Sequence, residues 1–391
     1  MFSRFFSIFV SILLIPGIFA EEMVYITIGS DALPILSKNK ILTSKSLKSE
    51  KGISLLQVPQ SEILKISELM HKNFHRCGGF IYYPNLESAK EAFIEPSENK
   101  NNLAEYSIDQ EIVVNSYLKK VNSEYILNTI KKLSSYQNRY FQSHLGVDSQ
   151  SWIKSNWESI IKNYENARVE NFTHEYIQPS VILTIQGSKY PDDIIVLGGH
   201  GDSISNDRGN NNEKNAPGAD DNASGIAVLT EIIRVLASEG YRPEKTIKFI
   251  SYAAEEVGLR GSNEIARRMK STNSKVIGVL QFDMTNFIGP DGKINLISDF
   301  TNQNQNVFLG KLIDKYVQSP WTFSKCGYAC SDHASWTNSG FAASFPFESS
   351  VNGSNPHLHT KEDTLDKSNN TAEHAMKFAK LGISYLIELD R

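Results

Sequence analysis

Apolar and polar positions change rhythm several times along the chain, and each rhythm predicts an element. Met23–Gly29 alternates as a half-buried strand does, Glu62–Phe74 repeats its apolar residues at helical spacing, and Gly79–Tyr83 is again strand-like. The polar stretch Glu95–Asn102 has no period and reads as a linker. Helical spacing resumes in Asn122–Ser135 and Gln150–Asn163, where Trp152, Trp157, Ile160 and Ile161 are expected to face a core. From Val181 onward strands and helices alternate. Strand Asp193–Gly199 is followed by helix Ala223–Ser238, with Ile226, Leu229, Ile233 and Leu236 on one side. Strand Lys245–Ala253, helix Asn263–Lys270 and strand Val276–Phe282 come next. A short helix Ser331–Asn338, for which Ser331 and Asp332 are competent caps, precedes strand Phe341–Phe347 and a closing helix Ala372–Glu388. The alternation predicts an α/β fold: a mixed, mostly parallel central sheet with helices on both faces, preceded by a small α+β unit.

The first twenty residues break this pattern. Arg4, the apolar run Phe5–Ile15, Pro16-Gly17 and the small Ala20 read as a secretory signal cleaved after Ala20. A membrane span needs about 20 apolar residues, and Pro16-Gly17 interrupts this run early. The expectation is a secreted protein, extracellular or periplasmic, with no membrane contact once the signal is gone. The composition of the 391 residues as a whole is ordinary. A net charge of −4, without charged blocks, gives no electrostatic reason to expect nucleic acid as a partner. Of three cysteines, Cys326 and Cys330 are close enough in sequence to close a small disulfide loop in an exported protein. A structural zinc site is the competing reading, and no second Cys/His pair lies nearby to complete it.

Polar residues gather where the predicted strands end. His200 and Asp202 follow one strand, Glu255 and Glu256 the next, and Asp283 the third. Open α/β sheets build their sites at the carboxyl ends of strands. So many acids in one crevice repel one another unless a cation sits among them, and imidazole with carboxylate suits zinc. His200, Asp220, Glu256, Asp283 and His359 supply two nitrogen and three carboxylate ligands. With Asp220 shared, each of two Zn2+ ions receives one His, one terminal carboxylate and half of the bridge. That leaves room for water, as a catalytic zinc requires. Taken singly, each residue has a plainer explanation: Glu255-Glu256 as solvated surface, Asp220-Asp221 as a cap for the next helix, Met284 and the aromatics as core.

The residues have a family context. The segments Gly198-Gly-His-Gly-Asp-Ser203, Ala216-Pro-Gly-Ala-Asp-Asp-Asn-Ala-Ser-Gly225, Tyr252-Ala-Ala-Glu-Glu-Val-Gly-Leu-Arg-Gly-Ser262 and Gln281-Phe-Asp-Met-Thr-Asn286 come in this order. Cys326-Gly-Tyr-Ala-Cys-Ser-Asp-His-Ala-Ser-Trp336 and His359-Thr-Lys-Glu-Asp-Thr364 follow. Together they resemble the secreted bacterial leucyl aminopeptidases, two-zinc metallopeptidases of the zinc-exopeptidase (phosphorylase/hydrolase-like) fold. The resemblance spans roughly 105–391. Residues 21–104, including His75-Arg-Cys-Gly-Gly79, are similar to the same enzymes' pro-segment, which implies cleavage in the linker by an activating protease.

The resemblance further implies that His200 and Asp283 complete one zinc and Glu256 and His359 the other, bridged by Asp220 with a cis peptide after it. Glu255 is the implied general base, and Asp202 orients His200 by accepting its other ring N–H. Cys326 and Cys330 match the family's disulfide. Met284, Ile297, Tyr328, Phe345, Phe347 and Leu358 are implied to line an apolar pocket for the first side chain, with Tyr328 as a further donor to the carbonyl. Substrates would be peptides and proteins with a free N-terminus. Gly201 stands where a larger residue is common, which predicts a looser approach to His200. Two rival functions remain: an inactive relative that only binds peptide, and another zinc hydrolase or glutaminyl cyclase on this fold. Retention of every expected ligand and of Glu255 speaks against the first.

Overall fold

The computed structural model describes residues 21–42, 46–74, 76, 78–93 and 106–391. The signal reading of 1–20, the linker at 95–104 and Cys77 lie outside them. Two sheets organise the chain. The first holds β1 (Met23–Gly29), β2 (Lys48–Glu50), β3 (Ile53–Pro59) and β4 (Phe80–Tyr83) in the order β2-β3-β1-β4, antiparallel throughout. Helix Ile63–Phe74 lays Ile63, Ile66 and Met70 into the core of this unit with Val24, Ile26 and Val58.

The second sheet has eight strands: β5 (Ala167–Phe172), β6 (Ser180–Ile185), β7 (Tyr190–His200), β8 (Lys245–Tyr252), β9 (Lys275–Gln281), β10 (Ile294–Ile297), β11 (Trp321–Ser324) and β12 (Ala343–Phe347). Their order is β11-β10-β12-β9-β7-β8-β6-β5, with β12, β9, β7 and β8 mutually parallel at the centre. The sequence dictates who sits where. β8 and β9 are buried on both faces, as strands covered by helices on both sides must be, whereas edge strand β5 mixes exposed and half-buried residues. Helix Ala223–Ser238 forms with the predicted bounds, but it is buried nearly all round, between β7, the closing helix Glu373–Leu389 and helix Ser123–Ser134.

The departures have local causes. Helix His144–Ile160 begins a turn and a half before the predicted Gln150, because Ser143 caps it by accepting the Gly146 N–H at 2.9 Å. Trp157 and Ile161 are buried in the main core, and Trp152 and Ile160 pack half-buried against it. The short helix His333–Asn338 receives no cap from Ser331 or Asp332. Ser331 instead donates to Asp283 Oδ2 at 2.7 Å, and Asp332 accepts from Gln281 Nε2 at 3.1 Å. Cys326 and Cys330 form a disulfide. Among the described residues no helix is long and apolar enough to cross a membrane.

The two units share an apolar patch, Leu55, Ile81, Tyr83 and Ala89 meeting Leu259, Ala329 and Ala334. Tyr82 N–H donates to Gly258 O at 3.0 Å, and Asn263 Nδ2 donates back to Tyr82 O at 2.8 Å.

Candidate metal centre

Parallel neighbours β8, β7 and β9 end side by side, His200 in register with Tyr252 and Gly198 with Gln281. The residues just beyond these ends, Asp202, Glu255, Glu256 and Asp283, therefore share one crevice, and all are buried. Close approach is built in. A Cβ at Gly198 would strike the Tyr252 ring at 2.3 Å, and one at Gly199 would meet Phe282 O at 2.8 Å.

Around that crevice, side chains fall into two groups. His200 Nε2 lies 3.1 Å from Asp221 Oδ1 and 3.2 Å from Asp283 Oδ1. His359 Nε2 lies 2.8 Å from Asp221 Oδ2 and 3.3 Å from Glu256 Oε2. The two oxygens of one carboxylate thus address two histidines.

That carboxylate is Asp221, not Asp220, which corrects the predicted bridge by one residue. The cis peptide shifts with it, lying between Asp221 and Asn222. The reason is where Asp220 finds its partners. Its Oδ1 accepts the Asn286 N–H at 3.1 Å, its Oδ2 accepts Asn355 Nδ2 at 3.3 Å, and it shares a hydrogen bond with Glu348. Asp363 pins both residues, accepting the Asp220 N–H at 3.2 Å and the Asp221 N–H at 3.0 Å. Asn222 then caps the following helix through the Gly225 N–H at 2.9 Å.

The geometry asks for cations. His200 Nδ1–H donates to Asp202 O at 3.2 Å, so in the neutral ring Nε2 carries a lone pair, aimed at carboxylate oxygens. Burial opposes a charge on His200, yet Asp283, Asp202 and Asp221 outweigh it and raise the imidazole well above its ordinary range: the local field favours positive charge at Nε2. Asp221 shows the counterpart, since burial works against its carboxylate but His200 and His359 hold it below the usual range. Both Glu255 oxygens are buried without a hydrogen-bond partner among the described residues. Imidazole with carboxylate, one carboxylate shared between two groups, fits zinc.

Asp202 does more than expected. Its carboxylate lies 3.4 Å from His200 Nδ1, and it also accepts the Glu255 N–H at 3.1 Å and the Glu256 N–H at 3.3 Å. Burial, partly offset by His200, raises the Glu255 carboxyl well above the carboxylate range, with Glu256 adding to the rise. Gly201 leaves no gap, because a Cβ there would meet Gln150 Nε2 at 2.4 Å. Gln150 takes the space that a larger residue would fill.

Met284, Ile297, Phe345 and Phe347 form one buried apolar cluster with Cys330, and Tyr328, Leu358 and Val351 pack half-buried against it. Ile297 pairs with Phe345 across β10 and β12, two residues from the Asn295–Phe347 pair, which puts all four on one sheet face.

Sequence reasoning missed three supports. Arg139 is fully buried and donates to the carbonyls of Leu133, Gly201 and Gly218, bracing the loops that carry His200 and Asp221. Asp363 sits four residues past His359, in the segment His359–Thr364, and its buried carboxylate is satisfied by the N–H groups of Asp220 and Asp221 and by Asn355 Nδ2. His71, from helix Ile63–Phe74, reaches Glu256 Oε2 at 3.2 Å.

Residues 180–383, which hold both metal-binding groups except for His71, match the profile of peptidase family M28. The chain belongs to peptidase family M28. A probable leucine aminopeptidase of Arthroderma benhamiae is 32% identical over 364 residues, covering 91% of this chain and 98% of that protein. The LapA aminopeptidase of Legionella pneumophila superposes with a TM-score of 0.79 at 29% identity, covering 95% of this chain and 99% of its own. LapB of the same organism gives 0.78 at 28%, covering 94% and 100%. The likeness thus reaches fungal as well as bacterial members, and coverage this broad includes the N-terminal unit. As a member of this family the chain is a zinc metallo-aminopeptidase with peptide substrates.

Proposed function

We propose that this M28 peptidase is exported, holds two zinc ions and removes Leu and other apolar residues from the amino ends of peptides and proteins. The observation that carries the reading is Asp221, whose two oxygens face two histidines on opposite sides. His200, Asp221 and Asp283 would hold one ion, and Asp221, Glu256 and His359 the other. Bound there, the ions would supply an acidified water and positive charge to offset what develops on the attacked carbonyl oxygen.

The protein's own groups do the rest. Glu255 accepts the proton of the attacking water and hands it to the departing amine. Desolvation suits this, since a buried carboxyl holds a proton readily between the two transfers. Asp202 fixes the backbone of Glu255 and Glu256, so base and ligand keep a constant spacing. The cluster of Met284, Ile297, Tyr328, Phe345, Phe347 and Leu358 would take the first side chain, where one methylene is worth about 1–3 kcal/mol of discrimination. Residues 21–104 act as a pro-region that blocks this site until a protease cuts the linker.

Hydrolysis of leucyl p-nitroanilide by the secreted, processed form tests the proposal. Turnover should vanish with chelator, return with zinc, and vanish when the substrate amine is acetylated. An inactive relative would fail all three, and a deacylase or cyclase would tolerate the blocked amine or release no leucine. Mass spectrometry of the active secreted form checks the processing; a start at Glu21 rejects it.

A further inference from the structure

His71 belongs to the N-terminal unit yet is buried inside the catalytic crevice. On helix Ile63–Phe74 the apolar stripe serves the unit's own core, while Ser67 and His71, one turn apart, turn to the catalytic unit. Ser67 Oγ donates to Glu256 O at 2.8 Å and anchors the helix there. His71 Nδ1–H donates to the Ser67 carbonyl at 2.7 Å, which fixes the tautomer and leaves the Nε2 lone pair pointing away from the helix. It points at Glu256 Oε2, 3.2 Å away, and the ring stands edge-on to His359 with centroids 4.1 Å apart. Ligand atoms of His71, Glu256 and His359 all lie within 4.8 Å of one another. The lone pairs of His71 Nε2 and Glu256 Oε2, meeting in this way, repel without a cation between them. His200 uses the same device on the other side, its Nδ1 tied to the Asp202 carbonyl and its Nε2 turned to Asp221 and Asp283.

We propose that in the intact chain His71 is itself a ligand of the ion held by Glu256 and His359. This rests on the two-zinc reading above and deepens it. With Asp221, Glu256 and His359 alone that ion would have three protein ligands and an open position, the pattern of a catalytic zinc; a fourth from His71 closes it in the manner of a structural zinc. The N-terminal unit then blocks the enzyme by occupying a coordination position, beyond covering the cleft, and its release reopens that position.

The intact chain loaded with zinc, studied by X-ray absorption, should show three imidazoles shared between two ions; two imidazoles would overturn the proposal. In the same full-length protein, His71→Ala should speed loss of one of the two ions to a chelator by ~10-fold or more, and added imidazole should reverse this. The cobalt-loaded protein should change its visible spectrum with the same substitution. His71→Gln, which keeps the helix and most of the volume, repeats the measurement if the alanine variant does not fold. Two ions that leave the wild type and the variant at the same rate, with unchanged cobalt spectra, would sink His71 as a ligand and leave the two-zinc reading standing. A chain that binds no zinc in either form overturns both.

Discussion

Two nested sets of buried polar residues surround the crevice, and they obey different rules. In the inner set imidazoles and carboxylates crowd together: His200 Nε2 lies against Asp221 and Asp283, His359 Nε2 against Asp221 and Glu256, and both Glu255 oxygens are buried without a hydrogen-bond partner among the described residues. In the outer set donors meet acceptors. Asp363 gathers the N–H groups of Asp220 and Asp221 with Asn355 Nδ2, Asp202 takes those of Glu255 and Glu256, and Arg139 serves five carbonyls. A buried polar group without a partner costs roughly 1–3 kcal/mol, and a charged one more. The inner set therefore stands to gain most from bound cations, while the outer set holds its geometry in place. Function lives where the hydrogen bonding is incomplete by itself.

Adjacent aspartates on either side of that divide give the sharpest test. Asp221→Ala is expected to weaken zinc at both halves by more than the ~10–100-fold typical of a supporting residue, and to abolish hydrolysis. Asp220→Asn should keep both ions and slow turnover within that same ~10–100-fold range. Metal analysis after dialysis, alongside kcat, reads both. The reverse pattern would move the bridge back to Asp220 and dissolve the distinction between the sets.

Glu255→Gln comes next in size. The carboxamide keeps the shape but cannot carry a proton, so kcat should fall by ~10²–10⁴-fold with zinc content unchanged. Loss of metal instead would make Glu255 a ligand.

The line between the sets also marks what could be read from the sequence. The central strands were legible because two-sided burial favours runs rich in Ile, Val, Leu and Phe, and polar residues follow where the runs end: His200, Glu255-Glu256, Asp283. Choosing between Asp220 and Asp221 was not legible. Both are aspartates in one turn, and the choice depends on Asp363 and Glu348, more than a hundred residues away in the chain. Strands β2, β3, β5, β10 and β11 do not stand out in the sequence either; β2, β10 and β11 are three or four residues long and too short to show a period. His71 had a signal, a Ser and a His one turn apart beside the apolar stripe of the helix Ile63–Phe74. Nothing local in the sequence says that it faces Glu256, which lies 185 residues further along the chain.

The smallest expected effect isolates the outer set from the metal. His374 Nε2–H donates to Glu348 O at 2.9 Å, while its Nδ1 is buried with no hydrogen-bond partner among the described residues. A second proton would bury both a charge and a lone donor, so burial pushes the imidazole down to about 4. His333 repeats the arrangement against Asp299 O at 3.2 Å, its ring 5.0 Å from that of Phe345, and is pushed down to about 3. An unfolded histidine titrates near ~6.5, so as pH falls below that value the unfolded chain binds protons that the native one refuses. Stability contributed by these groups is whole above that pH and drains away as the pH falls towards 4, by at most ~1.4 kcal/mol per histidine per pH unit. His374→Gln keeps a side-chain N–H for the Glu348 carbonyl and removes one titration. Denaturant unfolding between pH 7 and 4.5, at matched zinc content, should therefore give a shallower acid loss for the variant than for the parent. Parallel curves would mean that His374 protonates as freely in the native protein as in the unfolded one. The outer set would then be no better sealed from water than the surface.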